Sequence, residues 1–382
     1  MSEILYSHVK EEIRENDKGE RVGAVHLSEV PYQLYDLFSC IETILDEALL
    51  RAYSMRDEDK SDRIKFIKDY QSRIRNVNTA LSLFDNRYEM FIFLEGDSLR
   101  FKLYCLDTGG VISSRISKGR SAVFFSATLT PTDYYRSLFG LDNSSKVLSV
   151  GSPFDPSQLS VCVIDKISTR YSEREDTLGA ICRTIAATVS VKRGNYMIFS
   201  PSFAYSKRLA EAFSAKYPKI KVLVQSPDMT IKEKSEFLAE FEKESHSYLI
   251  GFCVLGGLYS EGVDLEGDKL IGAVVVGIGM PTLSYEREAI SAYYDEKYEA
   301  GKQYAYIYPG MNRVFQAAGR VIRREEDRGV IVLVDDRFAD PIYKKSIPSL
   351  WKGMRYIDDA KALKERIEGF WRRVDEEKKS KC

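Results

Sequence analysis

Apolar residues recur along this chain with two different periods. From Leu34 they step by four and three through Phe38, Ile41, Leu45 and Ala48. After a charged break from Arg56 to Arg63, a second run passes Ile67, Tyr70, Ile74, Val77, Leu81 and Phe84. Steps of three and four put side chains on one helical face, so two such seams joined by a polar link predict an antiparallel helical hairpin. A free coiled-coil dimer is the alternative reading, with each seam covering only about two or three heptads. Residues 1 to about 30 are mixed and charged, and their pattern predicts no element. Short apolar runs follow: MFIFL at 90–94, FKLYCL at 101–106, and Ala122 to Phe125, which reads as a strand buried on both faces.

Gly151 to Pro156 holds two prolines and a glycine, and it is the best linker in the chain. Beyond it, strand and helix patterns alternate. Strands are predicted at 159–164, 196–199, 221–224, 248–254, 270–276 and 330–334. Helices are predicted at 177–191, from Ser200-Pro201-Ser202 onward, at 231–244, at 309–324 and at 357–378. This alternation predicts an α/β fold with a doubly wound parallel sheet.

Composition narrows the class without naming a function. The 382 residues are 44% hydrophobic and 30% charged, enough apolar content for sizeable cores. A net charge of −1 excludes the strongly basic type of nucleic-acid binder and leaves room for a local basic groove. None of the six cysteines forms C-x-x-C or a zinc-finger pair, and most sit in apolar runs, so they read as small core residues in a reducing compartment. No metal site is expected. The N-terminus lacks an apolar signal core and no segment reaches eighteen apolar residues, so the expectation is a cytoplasmic protein with no membrane partner.

Four stretches carry candidate chemistry. Gln316, Arg320 and Arg323, four and three apart on the predicted 309–324 helix, share a face and offer an amide and two guanidiniums beside Gly319. GGLYSEGVDL at 256–265 sets Ser260, Glu261 and Asp264 in a glycine-rich connection between apolar strands. Ser126-Ala127-Thr128 follows an apolar run, with hydroxyls that can orient a ligand or cap the segment beginning at Pro131. IFSPSFAYSKRL at 198–209 places Ser200, Ser202 and Tyr205 at a strand end near Lys207 and Arg208.

Taken in order, FFSATLTP at 124–131, IFSPSFAYSKRL at 198–209, GLYSEGVDLEGD at 257–268 and QAAGRVIRREEDRG at 316–329 resemble motifs III, IV, V and VI of the XPD/DinG family of superfamily 2 helicases. Each motif alone is weak, and their shared order is what makes the resemblance specific. It covers about residues 90 to 350. The resemblance implies a RecA-like second motor domain at 151–382, the last strands of the first motor domain at 91–150, and an arch-like helical segment at 1–90. Family members are ATP-dependent DNA helicases, usually moving 5′ to 3′ on single-stranded DNA. Carried over residue by residue, Arg323 is the arginine finger, Arg320 a second γ-phosphate contact, and Gln316 a group that positions the attacking water or motif VI itself. Glu261, Gly262 and Asp264 face the nucleotide, and Ser126 and Thr128 couple it to DNA. Ser200, Ser202, Tyr205 and Ser260 are the DNA contacts.

The departures from the family pattern matter equally. The chain has no G-x-x-x-x-G-K-[ST] loop, no D-E-A-H box and no four-cysteine iron–sulfur ligand set. It is therefore expected to be a C-terminal part that starts after the D-E-A-H box, with ATP and Mg²⁺ held mainly by an N-terminal half. Its expected partners are that half and single-stranded DNA, and it is expected to be inactive alone. The alternative is a non-hydrolysing single-stranded-DNA-binding or regulatory module on the same fold. The triad of Gln316, Arg320 and Arg323 argues against it, since a pure adaptor needs no γ-phosphate reader.

Overall fold

The computed structural model describes residues 1–56, 59–243, 247–260, 265–348, 351 and 353–381. The chain forms two compact units. One comprises Met1–Ser121, Leu138–Leu141 and Leu283–Gly301; the other comprises Ala122–Ser137, Asp142–Thr282 and Lys302–Cys382. The expected domain limits, after residue 90 and after residue 150, fall inside these units.

The smaller unit is built on an antiparallel sheet in the order β1-β2-β3-β4, with β1 Arg14–Glu15, β2 Arg21–Leu27, β3 Tyr88–Glu95 and β4 Ser98–Cys105. β3 lies between β2 and β4, which is why residues 91–105 cannot separate from the segments before them. The β3–β4 turn is two residues long, Gly96-Asp97, and Gly96 has φ +61°, as such a turn requires. One face of the sheet buries Met90, Ile92 and Leu94 against Leu5, Val9, Leu34, Phe38 and Leu81. The two predicted seams are the helices Tyr32–Ser54 and Lys60–Ser82. They run antiparallel: Arg75 bridges Glu42 (3.1 Å) and Asp46 (3.2 Å), Asn78 donates to Glu42 (2.6 Å), and Gln71 donates to Asp46. Residues 2–9 are a helix and 21–27 a strand, although the mixed sequence had indicated neither. The Tyr285–Tyr298 helix joins this unit. Buried Asp107 accepts from Lys297 Nζ (2.6 Å), the Tyr293 hydroxyl (3.0 Å) and the Gly109 amide (2.9 Å).

The larger unit holds seven parallel strands: β5 Leu159–Ile164, β6 Gly194–Ser200, β7 Lys221–Val224, β8 Tyr248–Val254, β9 Gly272–Val276, β10 Gly329–Val334 and β11 Arg355–Tyr356. Their order is β11-β5-β10-β9-β6-β8-β7. Alternation along β10 sends Ile331 and Leu333 to one face and Val330, Val332 and Val334 to the other. The first face packs on the Ile231–Glu242 and Tyr308–Ala318 helices through Phe237, Phe241, Val314 and Phe315. The second packs on Arg174–Val189, Phe203–Lys216 and Ala360–Lys381 through Ile181, Ile185, Leu209, Phe213, Ile367 and Phe370. This is the doubly wound parallel sheet expected from the sequence, RecA-like in architecture.

One expected strand is absent. Residues 122–125 belong to no strand, with Val123 and Phe125 83% and 89% exposed. A strand apolar on both faces is stable only between neighbours that complete its ladder, and neither sheet among the described residues supplies them.

Asp107 generates a pH-dependent expectation. Burial opposes its charge, but Lys297, the Gly109 amide and Tyr293 outweigh this and hold the carboxyl below the ordinary aspartate range. A depressed carboxylate contributes stability above its unfolded pKa of about 3.9 and loses that contribution as pH falls through the folded value. Asp107→Asn should therefore loosen the 285–298 helix by roughly 2 kcal/mol at neutral pH, the scale of hydrogen bonds to a charged group. The difference from wild type should vanish in acid. Amide exchange of peptides from this helix, measured at pH 7 and in acid, checks both.

Candidate nucleotide-facing and DNA-facing site

All four motif stretches lie in the larger unit. The Tyr308–Ala318 helix ends earlier than the expected 309–324. Gln316 stays on it, half-buried, while Arg320 and Arg323 lie in the turn beyond, so the three do not share a helical face. The physical reason is competition for the backbone. The amides of Arg320 and Val321 bond back to Ala317 and Ala318, tightening the last turn. Those of Arg323 and Arg324 leave the helix to donate to the Asp327 carboxylate, at 2.7 and 2.9 Å. The carbonyls of Arg324, Glu325 and Asp327 accept from the side-chain amide of Gln158 (3.2, 2.8 and 3.0 Å). Arg323 is left exposed at the surface of this turn.

The same turn is tied to the glycine-rich connection at 256–267. Arg320 Nε donates to the Ser260 carbonyl (3.1 Å), the Gly267 amide donates to Asp327 (3.1 Å), and Arg324 pairs with Glu266. The stretches that resemble motifs V and VI are thus brought together. Glu261, Gly262 and Asp264 lie outside the described residues. Ser260 is fully buried and its hydroxyl donates to the Gly257 carbonyl (2.7 Å). Neighbouring Tyr259 stacks on Phe237 with ring centroids 4.4 Å apart, and burial pushes its phenol up to about 12.

At 198–209 the expected contacts divide. Ser202 caps the Phe203–Lys216 helix, accepting from the Tyr205 amide (3.3 Å), and remains half-buried. Ser200 is buried with its hydroxyl on the Ser202 carbonyl (3.4 Å). Tyr205 is buried under the Arg174 guanidinium, 4.4 Å from its ring centroid, and burial pushes its phenol up to about 12, so it stays neutral. Lys207 is exposed, and Arg208 bonds Glu175 (2.7 Å). Ser126 and Thr128 lie on backbone outside any strand, their hydroxyls facing each other at 3.3 Å. The helix after them, Thr132–Phe139, is anchored by Tyr134, whose ring lies 5.0 Å from Tyr304 and 4.9 Å from Tyr308. Those two residues belong to the π-helical turn Gln303–Ile307 and to the first turn of the helix that carries Gln316.

Asp327, Gln158 and Glu266 were not singled out from the sequence. Asp327 was hidden in the charged run EEDRG. Gln158 could have been read as the last residue of the D-P-S-Q capping box, three after the N-cap, which it completes by accepting from the Asp155 amide (2.7 Å). Among the described residues no cluster of three or more His, Cys, Asp and Glu is set to hold a metal ion. No helix among them is long and apolar enough to cross a membrane.

The start of β10 sets the position of the arginine turn, because Gly329 packs directly beneath Val321. A Cβ on Gly329 would lie 2.2 Å from Val321 Cγ1 and 2.9 Å from the Ile271 carbonyl oxygen. Gly329→Ala should destabilise the larger unit by about 1–3 kcal/mol, as overpacking a filled site does. Urea denaturation followed by tryptophan fluorescence reads this directly.

The comparisons with known proteins agree with this geometry. Residues 185–354 match the family model described as the helicase C-terminal domain. The chain is 23% identical over 313 residues to the Dictyostelium discoideum general transcription and DNA repair factor IIH helicase subunit XPD, covering 76% of this chain and 39% of that protein. It is 26% identical over 243 residues to the Photobacterium profundum ATP-dependent DNA helicase DinG, covering 60% of this chain and 34% of that protein. The chain thus matches about a third to two fifths of each relative's length. A solved XPD helicase superposes with TM-score 0.55 at 14% identity, covering 93% of this chain and 61% of that structure, a likeness of fold. The motifs, the doubly wound sheet and these matches make the chain similar to the C-terminal part of XPD/DinG-family superfamily 2 helicases.

Proposed function

We propose that this chain is the part of an ATP-dependent DNA helicase that supplies the arginines of the ATPase site and part of the single-stranded DNA track. On this reading an ATP-binding half presents the nucleotide, and the chain alone does not turn ATP over. The observation that carries the reading is the arginine turn. It exposes Arg323 on backbone saturated by buried Asp327 and Gln158, and Arg320 ties it to the motif V connection. Phosphoryl transfer needs charge and position more than covalent chemistry, and a guanidinium held on a rigid turn supplies both. Arg323 acts as the finger on the developing γ-phosphate charge. Arg320 both contacts phosphate and fixes the Ser260 carbonyl, and Gln316 orients the attacking water or the turn.

The DNA track is read from motif IV outward. Ser202 at the start of the 203–216 helix and exposed Lys207 suit a phosphate of the strand, since helix N-termini and lysines both favour anions. Ser200, Tyr205 and Ser260 shape the track from beneath, being buried. Strand polarity follows the family's usual 5′ to 3′ direction in this proposal. The S-A-T hydroxyls of Ser126 and Thr128 lie on the path between nucleotide and DNA.

Two measurements test the proposal. In fluorescence anisotropy, the chain should bind single-stranded DNA weakly at low salt and lose it steeply as salt rises. Lys207→Ala should weaken binding and flatten the salt slope; no binding at low salt, or salt-independent binding, would count against the DNA track. Joined to an ATP-binding half, the chain should show DNA-stimulated ATPase activity. There Arg323→Ala should lower kcat by about 10³-fold or more with nucleotide affinity little changed. Arg323→Lys should rescue poorly because a point charge lacks the guanidinium fork. Arg324→Ala, which removes only a surface pair with Glu266, should stay within about threefold of wild type. Equal losses at 323 and 324, or helicase-like ATP turnover by the chain alone, would overturn the assignment.

A further inference from the structure

Resting on the arginine-finger reading, we propose that Asp327 and Gln158 are positioning residues that preset the Arg323 turn, with Gln158 linking it to the 151–156 linker. Both are almost wholly buried, at 4% and 3% exposure, and neither side chain reaches the surface where Arg323 lies. They divide the backbone of the turn between them. Asp327 takes the amides: one carboxylate oxygen accepts from Arg323 and Arg324 (2.7 and 2.9 Å), the other from Gly267 (3.1 Å). Gln158 takes the carbonyls of Arg324, Glu325 and Asp327 through its single side-chain nitrogen. Arg328 Nη1 adds bonds to the carbonyls of Glu325 and Asp327, both 2.8 Å.

This arrangement goes beyond holding a loop closed. A buried carboxylate that bonds three backbone amides fixes the direction of each peptide plane it touches. The Cα–Cβ vector of Arg323 is therefore set by Asp327, although the two side chains do different work. Asp327 also bonds Gly267, so the turn and the end of the motif V connection keep one spacing. Gln158 adds the third anchor. Its own carbonyl oxygen accepts from the Asp155 amide (2.7 Å), and Asp155 in turn accepts from the Ser157 amide (2.7 Å). A shift of the linker end is thereby passed to the turn by a chain of hydrogen bonds, with no side chain of the ATPase site involved.

The test uses the chain itself and the chain joined to an ATP-binding half. In the chain alone, amide exchange read by mass spectrometry should show the 320–328 segment protected. Asp327→Ala should raise its exchange at least tenfold while the 272–276 and 330–334 strands stay protected. In the joined protein, Asp327→Ala should lower kcat by about 10²-fold with the ATP KM within about threefold, the cost of misplacing a reacting group by about an ångström. Asp327→Asn, which keeps one acceptor oxygen, should fall between wild type and Asp327→Ala. Gln158→Glu, which turns a carboxylate toward three carbonyls, should be worse than Gln158→Ala. The double variant Arg323→Ala with Asp327→Ala should be no slower than Arg323→Ala by more than about twofold, because residues acting through one group are non-additive.

Additive losses, or unchanged exchange at 320–328 in Asp327→Ala, would overturn the positioning role. If Asp327→Ala does not fold, Asp327→Asn and Gln158→Ala decide, and wild-type kcat in both overturns it. Wild-type turnover in Arg323→Ala sinks the arginine-finger reading instead, and the exchange result then stands by itself.

Discussion

The arrangement of the arginine turn in the larger unit depends on how one buried carboxylate is satisfied. Asp327 sits 4% exposed in a protein interior, where an unpaired charge would be prohibitive. It is compensated by three backbone amides, two from its own turn and one from Gly267. Those amides are then unavailable to a helix, and this is why the Tyr308–Ala318 helix stops where it does. Without that withdrawal, Val321 to Arg324 could continue the helix and carry Arg323 round to another face. A carboxylate four residues downstream thus decides the geometry of two arginines upstream.

The sheet supplies the frame in which that local decision matters. All seven strands are parallel, so every strand-to-helix connection leaves from one edge, where open α/β sheets gather their ligand-handling residues. Ser200-Pro201-Ser202, the glycine-rich connection and Asp335 all lie at that edge. Asp335 is fully buried; burial opposes its charge, but Arg337 at 2.7 and 2.8 Å and the Thr169 hydroxyl outweigh this and keep its carboxyl low. Asp336 next to it is pushed the other way, by burial and by the Asp335 charge, with Arg170 at 2.7 Å on its carboxylate. That edge therefore contains internally neutralised clusters, with Lys207 exposed near it, whereas the arginine turn precedes β10 and lies at the edge where the strands begin.

How much of this was legible depended on where the determining contacts sit in sequence. β5 and β8 could be read to the residue because strands buried in a parallel sheet are mainly apolar, and β7, an edge strand exposed at both ends, from its Val-Leu-Val run. The two halves of the helical hairpin were legible from the three-and-four steps of Leu34 to Ala48 and Ile67 to Phe84. The helix end at Ala318 was not legible. It is set by Gln158, some 160 residues away in sequence, and by an aspartate that looks like one more surface charge in EEDRG. The Tyr285–Tyr298 helix was missed because only Ala289, Ile290 and Tyr294 of its fourteen residues are buried, too few for a clear stripe. At Ser200, Tyr205 and Ser260 the residue types suited contact with a ligand, but period alone could not reveal that all three point inward.

The S-A-T segment shows the opposite failure. Val123 and Phe125 are apolar, so sequence placed them in a sheet, yet they are exposed because burial is a property of neighbours and not of residue type. The helix that follows is nonetheless firmly seated, through Tyr134 against Tyr304 and Tyr308 and through Tyr135 accepting from Asn312. Its seat is the π-helical turn at the base of the helix that carries Gln316. The S-A-T segment is thus followed by a helix whose rings touch the N-terminal end of the helix that leads into the turn bonded by Asp327 and Gln158. Aromatic packing thus meets the helix at one end, and buried hydrogen bonds hold the turn beyond its other end. Gln316 lies on that helix, between the tyrosine contacts and the arginine turn.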